Sequence, residues 1–421
     1  MAIPNGPASI AAVLISQGHR VEILDLLFAG DVEEAIITHL EKYNRELVGI
    51  SLRETDNNEL FGFRFYLENA KRVVDLVKKH SHAQIIIGGA AFTLFPLELL
   101  QYLELSYGIS GDGEESLPLF VKQLEAGHDF DSIPGMCYQD GNEIKIKPPA
   151  IIHDLDSMPL PAYELLDLKN YMATAPGLTI QSKKGCDMAC SFCPEGNGIE
   201  ECRLRDAGMV VDEMQTMMAR HHINRFHFTD GIFNIPLEHA IAVCDEIIRR
   251  KINVSWMAGI SPACVNREFV TAMKASGCRY ISFGVDTASE KMLENYRKGF
   301  KKQEITAAAD LLKESGIRFD YSILFGGPGE NMETVQETLD FIEQVSQQIM
   351  IRAGIRIFPG TELEEQARAD GMIKPGQNLM FPTFYLSKEL PPDFMKWLDN
   401  QCEKHTNWIT ITKLLNKSPV S

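Results

Sequence analysis

At 421 residues, with 45% hydrophobic and 24% charged side chains, the chain is too long for one core and too apolar for disorder, so two globular domains are expected. A formal charge of -17 disfavours broad attachment to nucleic acid or anionic lipid. Nine cysteines without a secretory leader argue against a disulfide framework and for a reducing, cytoplasmic compartment, and no apolar run is long enough for a membrane span.

In chain order, the first third alternates short apolar runs with helix-period segments, the pattern of a doubly wound, Rossmann-like α/β domain over residues 1–140. Its strands are expected at Val21–Leu24, Leu47–Leu52, Ile85–Ile87 and Tyr107–Ser110. Gly88, Gly89 and Ala90 follow one strand and Gly111 to Glu114 another, at the carboxyl ends where open α/β sheets bind ligands. Prolines 148, 149, 159 and 161 break the pattern, and residues 141–170 read as a linker.

A longer strand-helix beat follows over residues 171–370, with strands near Leu178–Gln181, Arg225–Phe228, Val254–Ala258, Tyr280–Val285, Arg318–Leu324 and Met350–Phe358. Leu237–Arg250 and Gln303–Ser315 are among the helices between them. Six units predict a partial (β/α)6, TIM-like barrel with its chemistry at the strand carboxyl ends. Residues 371–421 form a small C-terminal extension that caps the barrel mouth, and its Phe381, Phe384, Tyr385 and Trp397 are read as domain packing, with the lining of an apolar substrate pocket as the alternative. The basic pairs and runs Lys183–Lys184 and Lys298–Lys302 read as solvated faces. Cys137, Cys202, Cys244, Cys264, Cys278 and Cys402 read as buried small hydrophobes.

The segment Gly185-Cys186-Asp187-Met188-Ala189-Cys190-Ser191-Phe192-Cys193-Pro194 directly follows the first barrel strand. Its C-x3-C-x2-C spacing brings together three thiolates. Tetrahedral zinc ordinarily takes four protein ligands; Cys202 is the one nearby candidate for a fourth, and its distance makes zinc the poorer account. An iron-sulfur cluster accepts three thiolates and leaves one iron open.

This motif, with Phe192 before its last cysteine, resembles the radical S-adenosylmethionine (SAM) superfamily over about Tyr171 to Ala367. The resemblance implies a [4Fe-4S] cluster on Cys186, Cys190 and Cys193 whose open iron is chelated by SAM. One electron then cleaves the sulfonium to a 5'-deoxyadenosyl radical. It further implies that the Phe192 carbonyl meets adenine, and that Thr229, Asp230 and Gly231 stand where the family has a Gly-Gly-Glu segment for the methionyl amine. Asp286, in Gly284-Val285-Asp286-Thr287, would bind the ribose hydroxyls; its alternative is a charge at a helix N-terminus. Gly326 to Glu330 is similar to the family's Gly-x-Pro-Gly-Glu turn, with Glu330 as a cap on the next helix.

A doubly wound domain, a proline-rich linker and such a barrel, in that order, resemble the cobalamin-binding radical SAM enzymes. The resemblance implies a corrin held between the domains by loops carrying Arg53, Gly88, Gly89, Thr93, Gly113 and Glu114, although Arg53 and Glu114 equally suit exposed loop charges. The sequence departs in lacking an Asp-x-His-x-x-Gly motif, with His19 read as a surface residue, and in opening at Met1–Gly6 where the family has a whole strand. The expected chemistry is methyl transfer from SAM through cobalamin to an unactivated carbon or phosphorus of a small-molecule or natural-product substrate, driven by an external one-electron reductant. No side chain is assigned as a catalytic acid or base. The alternatives are a non-methylating cyclisation, oxidation or rearrangement and, further off, a cobalamin or SAM sensor.

Overall fold

The computed structural model describes residues 3–42, 45–126, 129–195, 202–410 and 413. The chain forms two compact units, one running to Asn57 and from Arg64 to Ala175, the other comprising Asn58–Phe63 and everything from Pro176.

The first unit is a five-stranded sheet in the order β1 (Leu47–Ser51), β2 (Gln84–Gly88), β3 (Tyr107–Ile109), β4 (Met136–Asp140), β5 (Glu143–Ile146). The first three strands are parallel and the last two antiparallel. Ile85, Ile86 and Ile87 are all buried, as expected of an inner strand covered on both faces. Helix Gly113–Ala126 packs Leu117 and Phe120 onto Ile86, Ile109, Phe130, Met136 and Tyr138. Gly141, at φ 58°, opens the two-residue turn between β4 and β5.

Two expectations change here. Val21–Leu24 is irregular and lies outside the sheet: Val21 and Ile23 pack on Ala11, Ala12 and Ala162, and Glu22 is engaged by Arg45. A four-residue apolar run does not itself specify a strand, because it needs a neighbour to pair with. Residues 141–170 are no free spacer. They carry β5, and Ala150 bonds both ways to the third-strand loop, donating to the Ser110 carbonyl (2.8 Å) and accepting from the Asp112 N–H (2.8 Å).

The second unit contains β6 (Leu178–Ile180), the short pair β7 (Lys183–Lys184) and β8 (Arg203–Leu204), β9 (Arg225–Phe228), β10 (Ser255–Ile260), β11 (Cys278–Asp286), β12 (Arg318–Phe325), β13 (Gln348–Ala353), the short pair β14 (Ile355–Arg356) and β15 (Phe384–Tyr385), and β16 (Trp408–Ile409). Seven make one parallel sheet, ordered β16-β13-β12-β11-β10-β9-β6. Its ends β16 and β6 do not pair, so the barrel is partial and open. All six expected barrel strands are present, and Leu237–Arg249 and Lys302–Ser315 are helices between them.

The tail differs from a simple cap. Its Trp408–Ile409 segment becomes the seventh strand, while Ser387 donates to the Gly326 carbonyl at the carboxyl end of β12 (2.8 Å). Tyr385 and Trp397 pack internally, Tyr385 donating to Asp370 (2.6 Å) and Trp397 stacking on Phe394. Phe384 meets Phe63 edge to face, whereas Phe381 is exposed. No helix among the described residues is long and apolar enough to cross a membrane.

Candidate functional site

The cysteine loop is an excursion between β7 and β8, whose antiparallel pairing joins its two ends. Its entry is fixed from below by Asp230, buried just past the end of β9. One Asp230 oxygen accepts the Ser182 N–H (2.8 Å) and the Lys183 N–H (3.3 Å), and the other accepts the Ser182 hydroxyl (2.6 Å). Burial raises the Asp230 pKa and these donors oppose it. Lys183, read from sequence as solvated, is buried and donates to the Ile235 carbonyl, because its long flexible stem lets the ammonium reach a backbone acceptor.

The far side of the loop is held by Ser191. Its hydroxyl donates to the Asn295 carbonyl (2.9 Å), its N–H to the Tyr296 carbonyl (3.1 Å), and its own carbonyl accepts the Leu363 N–H (2.9 Å). Phe192 meets the Tyr296 ring edge to face at 5.3 Å. Cys190 is buried and Cys186 and Cys193 are half-buried. Burial pushes the Cys186 and Cys190 thiols up, and at Cys190 the Lys298 ammonium pulls the other way.

Of the second-strand candidates, Thr229 donates its N–H to the Ile180 carbonyl (3.0 Å), tying β9 to β6. Gly231 faces the cysteine loop: a methyl there would lie 2.8 Å from the Glu195 carboxylate and 3.7 Å from the Cys186 sulfur. Asp286 ends β11 after a register shift, at φ 64°, and takes an ion pair from Lys298 at 2.6 Å. Lys298 is only 4% exposed, and its ammonium lies 3.9 Å from Cys190 Sγ, so its reading as a solvated charge is overturned. Nothing in the charge pattern distinguishes it from Lys301 and Lys302. What distinguishes it is the αL turn at Arg297 (φ 53°) that follows helix Glu290–Asn295.

Glu330 is not a helix cap. Asn331 caps helix Met332–Glu343, accepting from the N–H groups of Glu333 and Thr334. Glu330 turns inward, fully buried, and one oxygen accepts the Gly326 N–H and the Gly327 N–H (3.2 Å). Burial raises the Glu330 carboxyl pKa to about 8, against the opposing pull of the Gly326 and Gly327 N–H groups and the Tyr296 hydroxyl. The scattered cysteines divide too: Cys137, Cys244, Cys278 and Cys402 are buried as expected, Cys202 is half-buried and Cys264 is exposed.

In the first unit, three loops meet at the carboxyl ends of β1, β2 and β3. Leu52 donates its N–H to the Gly88 carbonyl (2.9 Å) and accepts the Ala91 N–H (3.1 Å), and Thr93 Oγ1 accepts the Gly111 N–H (2.8 Å). Gly89, at φ 98°, could carry no side chain, since its Cβ would fall 2.6 Å from the Leu52 carbonyl oxygen. Arg53 is exposed beside Glu54, whereas Glu114 is buried in the first turn of helix Gly113–Ala126, which excludes its reading as an exposed charge. His19 lies in the loop after helix Asn5–Ser16, its N–H on the Leu14 carbonyl.

Comparison with known proteins agrees with both units. Residues 180–342 match the radical SAM superfamily model and residues 2–121 the B12 binding domain model. An uncharacterized methyltransferase of Pyrococcus horikoshii is 25% identical over 375 residues, covering 88% of this chain and 79% of that protein. Tryptophan 2-C-methyltransferase of Streptomyces laurentii is 25% identical, covering 83% and 69%. The radical SAM methyltransferase TsrM from Kitasatospora setae, solved with cobalamin and a [4Fe-4S] cluster, shares the fold at a TM-score of 0.82 and 24% identity, covering 93% of this chain and 83% of that one. Its structure with tryptophan and a SAM analogue gives 0.80 at 26% identity, covering 89% and 74%. The chain thus carries a B12-binding domain ahead of a radical SAM domain.

Proposed function

We propose that this chain is a cobalamin-dependent radical SAM methyltransferase that moves a methyl group from SAM to an unactivated carbon or phosphorus of a small molecule. The observation that carries this reading is a C-x3-C-x2-C loop anchored on both sides and set against Asp286 and Lys298, in a chain that also holds a B12-binding domain.

The residues fit the groups implied. Three thiols on one short loop, Cys190 buried and Cys186 and Cys193 half-buried, suit a cluster that takes three thiolates. A buried ammonium beside Cys190 favours a thiolate there. The three hydrogen-bonded loops at the carboxyl edge of the first sheet form a continuous, glycine-rich surface of the kind open α/β sheets offer a cofactor.

When bound, the cluster supplies an electron for SAM cleavage and cobalamin a carrier for the methyl group. In this reading Cys186, Cys190 and Cys193 are iron ligands, Phe192 offers its backbone carbonyl to adenine, and Asp286 accepts from the ribose hydroxyls. Thr229 and Gly231 line the methionyl end and Asp230 holds that segment rigid through Ser182. Arg53, Gly88, Gly89, Thr93, Gly113 and Glu114 form or support the corrin-facing loops. The electron comes from an external one-electron reductant, and the protein's part is alignment and exclusion of water rather than proton transfer.

The test is anaerobic reconstitution with iron, sulfide and cobalamin, followed by SAM, dithionite and tryptophan, with further small molecules as alternative acceptors. The reading requires cobalamin-dependent S-adenosylhomocysteine and a product heavier by one methyl. Deoxyadenosine with an altered product lacking that methyl would replace it with cyclisation, oxidation or rearrangement; absence of both SAM-derived products would leave a sensor.

A further inference from the structure

Lys298 is buried where an ammonium is costly unless its surroundings need the charge. Taking a cation out of water carries a desolvation penalty that one ion pair often fails to recover. Here the backbone is shaped to place it. Helix Glu290–Asn295 ends, Arg297 adopts the left-handed conformation, and the Lys298 N–H closes back on the Leu293 carbonyl at 3.0 Å. The ammonium lies 5.8 Å from the centre of the Phe300 ring, 2.6 Å from the Asp286 carboxylate and 3.9 Å from Cys190 Sγ.

An ion pair serving only to staple Asp286 would have no need of the thiol. The cation therefore faces two acceptors, the carboxylate at the end of β11 and the sulfur from the β7–β8 loop.

We propose that Lys298 is a positioning residue that makes the cluster easier to reduce through Cys190 and, with the same ammonium, fixes the Asp286 carboxylate beside it. The proposal rests on Cys190 being a cluster ligand. Reduction adds one electron to the oxidised cluster and no bond is made or broken. The added negative charge is stabilised by a fixed cation hydrogen-bonded to a ligand sulfur, which raises the potential. Even with the screening of a protein surface, unit charges at this separation shift an equilibrium by more than tenfold. Asp286 partly offsets the cation, so the two side chains should act on the potential with opposite signs.

The experiment is a mediated redox titration with dithionite of the reconstituted full chain, following the electron paramagnetic resonance signal of the reduced cluster. It compares the parent with Lys298→Met, Lys298→Arg and Asp286→Asn, with iron content measured for each. Lys298→Met should retain its iron and become harder to reduce by at least tenfold, 59 mV for a one-electron couple. Lys298→Arg should stay nearer the parent, and Asp286→Asn should shift the other way. A parent-like potential in Lys298→Met with full iron overturns the proposal. If Lys298→Met takes up no iron, Asp286→Asn decides, and an unchanged or lowered potential there is equally fatal. Full iron and an unaltered signal in Cys190→Ala would instead remove the cluster reading beneath it.

Discussion

Ser182 and Asp230 are joined twice, by the serine N–H at 2.8 Å and by its hydroxyl at 2.6 Å, and these two hydrogen bonds set the course of the chain from β6 into β7, where the cysteine loop begins. Because the carboxylate is buried, removing it strands two N–H donors and a hydroxyl without water to replace it. Asp230→Ala should cost about 3 kcal/mol, a fall of roughly 6–12 °C in the thermal midpoint of the second unit. Ser182→Ala should cost about 1 kcal/mol. Differential scanning calorimetry checks both, and an undiminished midpoint in Asp230→Ala would show that the brace is dispensable.

Glu330 gives a pH dependence of defined sign. Its carboxyl titrates near 4.5 when unfolded and about 8 in the folded chain, so between those values the folded state holds a proton that the unfolded state has lost. Stability contributed by this group is therefore full below pH 4.5, declines as pH rises towards 8, and is flat above. Glu330→Gln mimics the protonated acid and should remove that decline. Urea midpoints of parent and variant should diverge steadily between pH 5 and 8, with the variant the more stable at the upper end; parallel curves would count against it.

Gly231→Ala tests the room left beside the cysteine loop. The added methyl meets the end of a flexible side chain, Glu195, at 2.8 Å, which can swing away, but also Cys186 Cβ at 3.4 Å. The fold should survive with a midpoint change of about 3 °C or less, equivalent to roughly 1 kcal/mol. SAM affinity of the reconstituted protein should fall about tenfold, roughly 1.4 kcal/mol, by equilibrium dialysis. Unaltered SAM binding would move the methionyl end of the cofactor away from Gly231.

Gly89→Ala separates the two cofactors. Its methyl would collide with backbone, 2.6 Å from the Leu52 carbonyl oxygen, at a φ of 98° that side chains rarely adopt. The variant should lose cobalamin in a stoichiometry measurement while the second unit still assembles iron and sulfide. Loss of both together would mean that the first unit is required for cluster assembly.

Substitution of the motif cysteines singly by alanine should abolish the cluster's visible absorption and most bound iron, whereas Cys202→Ala should keep both. Equal iron loss in Cys202→Ala would revive a four-ligand site.

Much of this was legible in one dimension because the signals are local. The run Ile85-Ile86-Ile87 and the Gly-rich turns after it identify an inner strand and its ligand-facing end, since burial on both faces leaves no polar alternation. The spacing Cys186, Cys190, Cys193 similarly declares its chemistry through ligand type and chain reach. Val21–Leu24 shows the limit: its composition suits a strand, but Ala11, Ala12 and Ala162 supply a packing surface and no neighbouring strand. Trp408–Ile409 shows the converse, a two-residue strand with no periodicity to announce it, created by pairing with β13.

The sequence by itself determined the two-domain α/β order, the three-thiol loop and the glycine turns, because each depends on neighbours a few residues away. Only the tertiary structure decided which charges are inside. Lys298 and Lys301 look alike along the chain, yet one ammonium lies between Asp286 and Cys190 while Lys301 is exposed at the start of a helix. That choice depends on an αL turn and on partners 12 and 108 residues away, a separation over which neither periodicity nor composition carries information.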